Sequence, residues 1–281
     1  MQRFGLGAVL ALIGAGVGLG ATGAAADGRL EARYRLSLGG LELGRAAYLL
    51  EVDDKAYVAS GSARLTGVVQ AVSSGKGAAG ARGAIDRGTL QPRSFAMEAE
   101  SDRKNEAIRL VMSGAAVTDM SVEPPVLPAL DRVPVTEKDK RNIFDPMTAT
   151  LIMVPGTDNP LSAKACGRTL SIFDGRQRYD IELIFDRMDN VKAEKGYAGP
   201  AVVCRIAYRP VAGHKPDRKS VKYMMNNKDM FVWLAPVAGT RMLVPFRAQV
   251  ATLLGVAELE AQSFITEPTV GRKAAASTTG Q

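Results

Sequence analysis

The chain is poor in the residues on which most enzymes depend. It holds one histidine, His214, two cysteines and one tryptophan among 281 residues. One histidine and two thiols cannot assemble a zinc site from nitrogen and sulfur ligands alone. They leave equally little for a triad built on an imidazole base. Nucleophile-elbow, phosphate-loop lysine and H-E-x-x-H patterns are absent, which removes the commonest hydrolase, nucleotide-binding and zinc-protease signatures. Gly75-Lys76-Gly77-Ala78-Ala79-Gly80 fits G-x-G-x-x-G in letters. The dinucleotide fingerprint needs a strand before it and a helix after it, and neither flank supplies one, so it reads as a flexible strand or turn. No cofactor, metal site or catalytic residue is expected. His214, in Ala212-Gly213-His214-Lys215-Pro216, reads as a surface-loop histidine.

A long uncharged stretch does occur at the start. Arg3 is followed by Gly5 to Gly20 without a charge, then by small residues ending in Ala24-Ala25-Ala26. A basic start, an apolar run and an A-x-A site describe a secretory signal peptide cleaved after residue 26. The run is glycine-rich and marginal for a bilayer span of about 20 residues. The expected destination is the periplasm, with no transmembrane segment after cleavage. There disulfides persist, and Cys166 and Cys204 are the only available pair. Their spacing is wrong for a C-x-x-C redox motif, so a structural disulfide is expected. It stabilises by about 4 kcal/mol on the chain-entropy model.

The rest alternates with period two. Ala32, Tyr34, Leu36 and Leu38 oppose Glu31, Arg33, Arg35 and Ser37. Tyr179, Ile181, Leu183 and Phe185 form one face of a second run, Val202, Cys204, Ile206 and Tyr208 of a third, and Val244, Phe246, Ala248 and Val250 of a fourth. This is the mark of half-buried strands. Turn signals at Gly39-Gly40, Asp53-Asp54, Asp174-Gly175 and Ala238-Gly239 separate them. Two segments look helical, Thr66–Ser74 and Asp145–Val154. In the second, Asp145 can cap and Pro146 fits the first helical position. Ser121–Arg141 is a proline-rich extended connector, and residues 267–281 form a polar tail expected to be disordered. The expected fold is mainly β: one domain over residues 27–266, a strongly curved antiparallel sheet, open or an incomplete barrel, wrapped around one or two short helices. Trp233 reads as core.

Several stretches together resemble an exported bacterial family catalogued as domain of unknown function 3108. They are Tyr34-Arg35-Leu36-Ser37-Leu38-Gly39-Gly40, Asp145-Pro146-Met147-Thr148-Ala149, Cys166-Gly167-Arg168 leading to Phe173-Asp174-Gly175-Arg176, Tyr208 to His214, and Val232-Trp233-Leu234-Ala235-Pro236. The resemblance covers about residues 28–266. It implies an architecture similar to the curved sheets of periplasmic lipoprotein carriers and receptors, and no activity or catalytic residue to carry over.

The function expected from these observations is a non-enzymatic periplasmic protein supporting the cell envelope, binding a lipid or lipoprotein in a concave groove. Met147, Leu151, Leu183, Phe185, Val244 and Phe246 would line that groove, or else simply fill the core. Arg176 and Arg178 beside the Asp174-Gly175 turn would contact an anion, or else pair with carboxylates across the ladder. The alternatives are an envelope glycan- or peptide-acting hydrolase with a carboxylate cluster, or a partner-binding scaffold. The net charge of +7 falls by one on loss of residues 1–26 and is spread along the chain. It suits anionic envelope components, and export makes nucleic acid an unsuitable partner. Oligomeric state is not encoded legibly. Titration of the unreduced, exported protein with a thiol reagent should find no free thiol, and two after reduction; two before reduction would contradict the disulfide.

Overall fold

The structure, a computed structural model, describes residues 27–66, 74–102 and 104–269. The expected signal peptide, the Thr66–Ser74 helical expectation (all but its two end residues) and most of the expected polar tail lie outside the described residues.

Strands succeed one another with little else between them. β1 (Gly28–Leu38), β2 (Leu41–Val52), β3 (Ala56–Leu65), β4 (Gly75–Asp86), β5 (Thr89–Ser101), β6 (Lys104–Ser113) and β7 (Ala116–Glu123) form a meander. A connector then leads to β8 (Ile152–Met153), β9 (Arg168–Phe173), β10 (Arg178–Lys192), β11 (Lys195–Gly196), β12 (Ala198–Ala212), β13 (Met230–Pro236), β14 (Met242–Thr252) and β15 (Gly255–Pro268). Between β12 and β13 lies one α-helix, α1 (Lys219–Asn226). All belong to a single 15-stranded sheet in the order β7-β6-β5-β4-β3-β2-β1-β15-β14-β13-β12-β10-β9, with β8 on β14 and β11 on β15. Every pairing is antiparallel except β11 with β15. The tail begins later than expected, because Glu267 and Pro268 still pair with β1.

The expected turns are present at Gly39-Gly40, Asp53-Asp54, Asp174-Gly175 and Ala238-Gly239. Register shifts at Arg33/Tyr34, Leu36/Ser37 and Arg82/Gly83 add local twist that helps the sheet to bend.

The sheet does not close on itself. Its terminal strands are β7 and β9, and residues 141–144 stand between them. Arg141 bridges to Ala116, and the Ile143 N–H donates to the Ala115 carbonyl at 3.0 Å. On the other side the Phe144 N–H donates to Ser171 O at 2.7 Å, and the Phe173 N–H returns to Phe144 O at 3.0 Å. The segment thus supplies both edges with hydrogen-bond partners that would otherwise be exposed.

Asp145–Val154 is not the expected α-helix. It makes a single 3-10 turn over Thr148–Thr150, after which Ile152–Met153 pairs with Met242–Leu243 of β14. The capping reading holds locally, since Asp145 Oδ1 accepts from the N–H groups of Met147 and Thr148 at 3.0 and 2.9 Å. The helix stops there because the run that follows, Thr148, Thr150, Ile152 and Val154, is β-branched at every second position, and a strand partner is waiting. Its burial on the concave side is as expected: Leu151, Ile152 and Val154 are buried.

Cys166 and Cys204 form a disulfide across 38 residues of sequence. Both sulfurs are buried in an apolar cluster with Leu170, Ile172, Leu183, Val202 and Leu234. Trp233 is buried, but on the opposite face of the sheet from that cluster, with Ala201 and Val203. Two guanidiniums cover it, Arg247 at 4.9 Å and Arg187 at 5.6 Å from the ring centre, and its indole N–H donates to Asp189 at 2.9 Å.

Arg176 and Arg178 are occupied as structural ties. Arg178 donates to Asp180 at 2.7 Å, and Asp180 also accepts from Arg209, its cross-strand neighbour on β12, at 2.7 Å. Burial pushes the Asp180 carboxyl up, but the bonds from Arg178, Arg209 and Ser171 outweigh it and hold the group below the ordinary carboxylate range. Arg176 reaches across the open seam and donates to the carbonyls of Glu123 and Pro124 at 3.1 and 3.0 Å. Replacing Arg176 by Ala should therefore lower unfolding free energy by about 1–3 kcal/mol, read by denaturant titration. An unchanged midpoint would show that the seam does not need this tie.

Candidate functional site

The concave face of β2–β5 carries small residues where a half-buried sheet normally carries large ones. Cross-strand neighbours form rows. One row reads Tyr34, Ala46, Ala63, Gly77, Ala99; the next reads Tyr48, Gly61, Ala79, Met97. The third row, Leu50, Ala59, Ala81, Phe95, has large residues at both ends as the second does, and it alone of the three is fully buried. The first two rows therefore leave a trough of about 290 Å³. That is near the lower end of ligand-pocket sizes, roughly 300–1,000 Å³. Its margins are Tyr34, Tyr48, Met97, Met147 and Leu259. Glu98, the one charged residue along it, is exposed.

The tyrosines at the margin offer rings, not hydroxyls. The Tyr34 O–H donates to Pro245 O at 2.7 Å. Tyr48 bonds Thr150 Oγ1 at 3.0 Å; because that hydroxyl donates to Met147 O at 2.7 Å, Tyr48 is the donor. Burial pushes both phenols well above their ordinary range. The trough is thus largely apolar, and the two tyrosine hydroxyls at its margin are already paired.

Beneath it lies a buried polar chain. Asp145 and Thr148 are both fully buried. Asp145 Oδ2 accepts from the Thr148 hydroxyl at 2.6 Å, and Thr148 Oγ1 in turn accepts from Tyr57 at 2.8 Å. Burial raises the Asp145 pKa above its usual value even though the Thr148 hydroxyl and the backbone N–H groups lower it. The chain fixes the turn that carries Met147 against the trough.

Of the six residues expected to line a groove, only Met147 does so. Leu151, Val244 and Phe246 fill the main core, and Leu183 packs on the disulfide side. Phe185 departs furthest, at 42% exposed. The pairing of β9 with β10 ends at Leu183, and the register shift at Phe185/Arg187 follows, so no strand covers Phe185 on that side. His214 is not a surface histidine. It is only 9% exposed, because its carbonyl and the Gly213 N–H pair with Val133 of the connector. Among the described residues no three of His, Cys, Asp and Glu converge on a metal-sized site.

The residues that sequence reasoning missed are Ala46, Gly61, Ala63, Gly77, Ala79 and Ala99. A signal was present. Gly75, Gly77, Ala79 and Ala81 repeat with period two, as do Ala59, Gly61 and Ala63, in segments with no large residue at those places.

Removing the carboxylate in Asp145→Ala would leave two N–H groups and one hydroxyl without their acceptor, and should cost about 3 kcal/mol or more. Asp145→Asn keeps one acceptor oxygen and should cost less. A carboxyl whose pKa is raised on folding contributes stability that is present at low pH and lost as pH rises through the folded value. Stability of the native chain relative to Asp145→Asn should therefore fall as pH is raised from the ordinary carboxylate range. A difference that grows with pH would contradict the desolvation of Asp145.

Comparison with known proteins adds a family and no activity. A search of curated proteins finds no match. Among solved structures, the chain is similar to the crystal structure of a beta-barrel-like protein of domain of unknown function DUF1849 from Brucella abortus. The identity is 11%, with 86% of this chain and 98% of that one covered and a TM-score of 0.48. The family model described as protein of unknown function (DUF3108) matches residues 33–262, nearly the whole described sheet, and the chain belongs to that family.

Proposed function

We propose that this protein is a non-enzymatic periplasmic component of the cell envelope that holds an apolar chain, the acyl chain of a lipid or lipoprotein, in the trough of β2–β5. The observation that carries this reading is the pair of small-residue rows. A sheet that needed only a core would fill those positions with Val, Leu or Ile, each contributing about 1.5–3 kcal/mol on burial. Here that stabilisation is forgone on four neighbouring strands at once, and space is what results. The margin is largely apolar, with the Tyr34 and Tyr48 hydroxyls turned to acceptors in the fold, which suits a hydrocarbon better than a sugar or peptide. A disulfide and a cleavable leader fit an oxidising, exported setting.

Gly61 lies where a larger side chain would enter the trough: a Cβ there meets Ala47 O at 3.4 Å and Met147 Cε at 3.6 Å, ordinary contact distances. Binding of a fluorescent fatty acid, followed by its emission, should weaken about tenfold or more in Gly61→Val or Ala79→Leu, which occupy the space a chain would take. Val58→Leu, on the exposed face of β3, should bind as the native protein does. Native protein that does not bind the probe, or trough variants that bind it equally, would overturn the reading.

A further inference from the structure

Large apolar side chains are exposed on this molecule in one place above all. Leu130, Leu254, Leu253, Leu127 and Leu41, in that order, are the most exposed large hydrophobic residues among those described. They come from three separate segments: the β1–β2 turn, the connector after β7, and the β14–β15 turn. The fold brings the three to one rim of the sheet. The Gly39 N–H donates to Val256 O at 2.9 Å, joining the β1–β2 and β14–β15 turns. Beside them, Asn227 after α1 donates to Ala251 O at 2.8 Å, and the Ala251 N–H donates to Asp229 O at 2.9 Å. On the far side of α1, the connector is held to the end of β12 by Arg132 donating to Gly213 O at 2.6 Å. Leu41, Leu253 and Leu254, then α1, then Leu130 and Leu127 follow one arc. The turns at the opposite rim carry Asp53-Asp54, Arg87-Gly88 and Gly114-Ala115 instead.

Charge along this arc is predominantly basic, although Asp131 and Asp217 pair with Lys215 and Lys222 and Asp229 follows Lys228. From Lys215 to Lys228 stand Lys215, Arg218, Lys219, Lys222 and Lys228 against a single acid, Asp217. α1 buries none of its residues, so its lysines and Met225 face solvent. Lys219 and Lys228 make no ion pair among the described residues. Scattered single leucines on a surface need no explanation, but the five most exposed on one rim, fringed by unpaired lysines, do. The combination matches an anionic bilayer surface, where leucines enter the interface and ammonium groups meet lipid phosphates. The trough rows Tyr34–Ala99 lie in the halves of β1–β5 nearer this rim.

We propose that this rim docks on an anionic membrane surface, placing the trough beside the lipids from which an acyl chain is taken or to which it is given. The purpose rests on the acyl-chain reading of the trough; the docking itself is tested without any trough ligand. The probe is flotation of the protein, recovered after export, with vesicles of phosphatidylethanolamine and phosphatidylglycerol, compared with vesicles of phosphatidylcholine. The native protein should float with the anionic vesicles and release in high salt. Leu253→Asp with Leu254→Asp should reduce association about tenfold or more. Lys219→Glu with Lys228→Glu should abolish the preference for anionic lipid. Val58→Asp, an exposed apolar site away from the rim, should change nothing, and thermal unfolding should confirm that all variants fold. Failure of the native protein to associate, or association that survives the Leu253/Leu254 change, would overturn docking. Fatty-acid binding in solution should persist in that same variant, so that a failed membrane and a failed trough give different results.

Discussion

The structure depends on how a sheet with two free edges is kept from pairing with something else. The solution is the segment from Arg141 to Thr150. Its first residues hydrogen-bond Ala115 and Ala116 on one edge and Ser171, Ile172 and Phe173 on the other. Its last residues turn inward, where Asp145 gathers the N–H groups of Met147 and Thr148, and Tyr57 and Tyr48 bond the two threonines. One segment therefore caps the edges, sets the inner contour and places Met147 against the trough. An unpaired charge at Asp145 would be costly in such a place, so the whole set of acceptors and donors has to be satisfied together. Arg176 ties this seam, and the disulfide fastens the entry to the edge strand β9 to β12.

With the seam fixed, the two halves of the sheet differ in how they use their concave face. On β9–β14 it is filled by large residues around the disulfide and around Phe246. On β2–β5 it thins into alanine and glycine toward one rim. This open trough is lined mostly by apolar atoms, and covering it with an apolar chain would remove that surface from water. The stability forgone by omitting large side chains is offset by the adjoining core and the disulfide.

Much of the architecture was legible from residue order alone. Period-two runs such as Ala32-Tyr34 and Ile181-Leu183 are local signals, and turn pairs such as Asp174-Gly175 punctuate them. The disulfide followed from a count of two cysteines in a chain whose first residues read as an export signal. What failed was whatever depended on a distant partner. Asp145–Val154 has a good helix start, and only the pairing of Ile152–Met153 with β14, some ninety residues on, makes it a turn and a strand. Phe185 belongs to an apolar alternation, but the length of β9 decides whether anything covers it. The trough escaped for the same reason: Ala46, Ala63, Gly77 and Ala99 come from four strands, and register is what lines them up.

The central claim is that the small-residue rows are a binding surface and not merely a thin core. The most direct measurement is a methyl NMR titration of alanine-labelled protein with a long-chain fatty acid. The account expects saturable shifts in Ala46, Ala63, Ala79 and Ala99, with Ala201 and Ala235, buried elsewhere in the sheet, left in place. Shifts confined to other alanines, or none up to the solubility limit of the fatty acid, would contradict it.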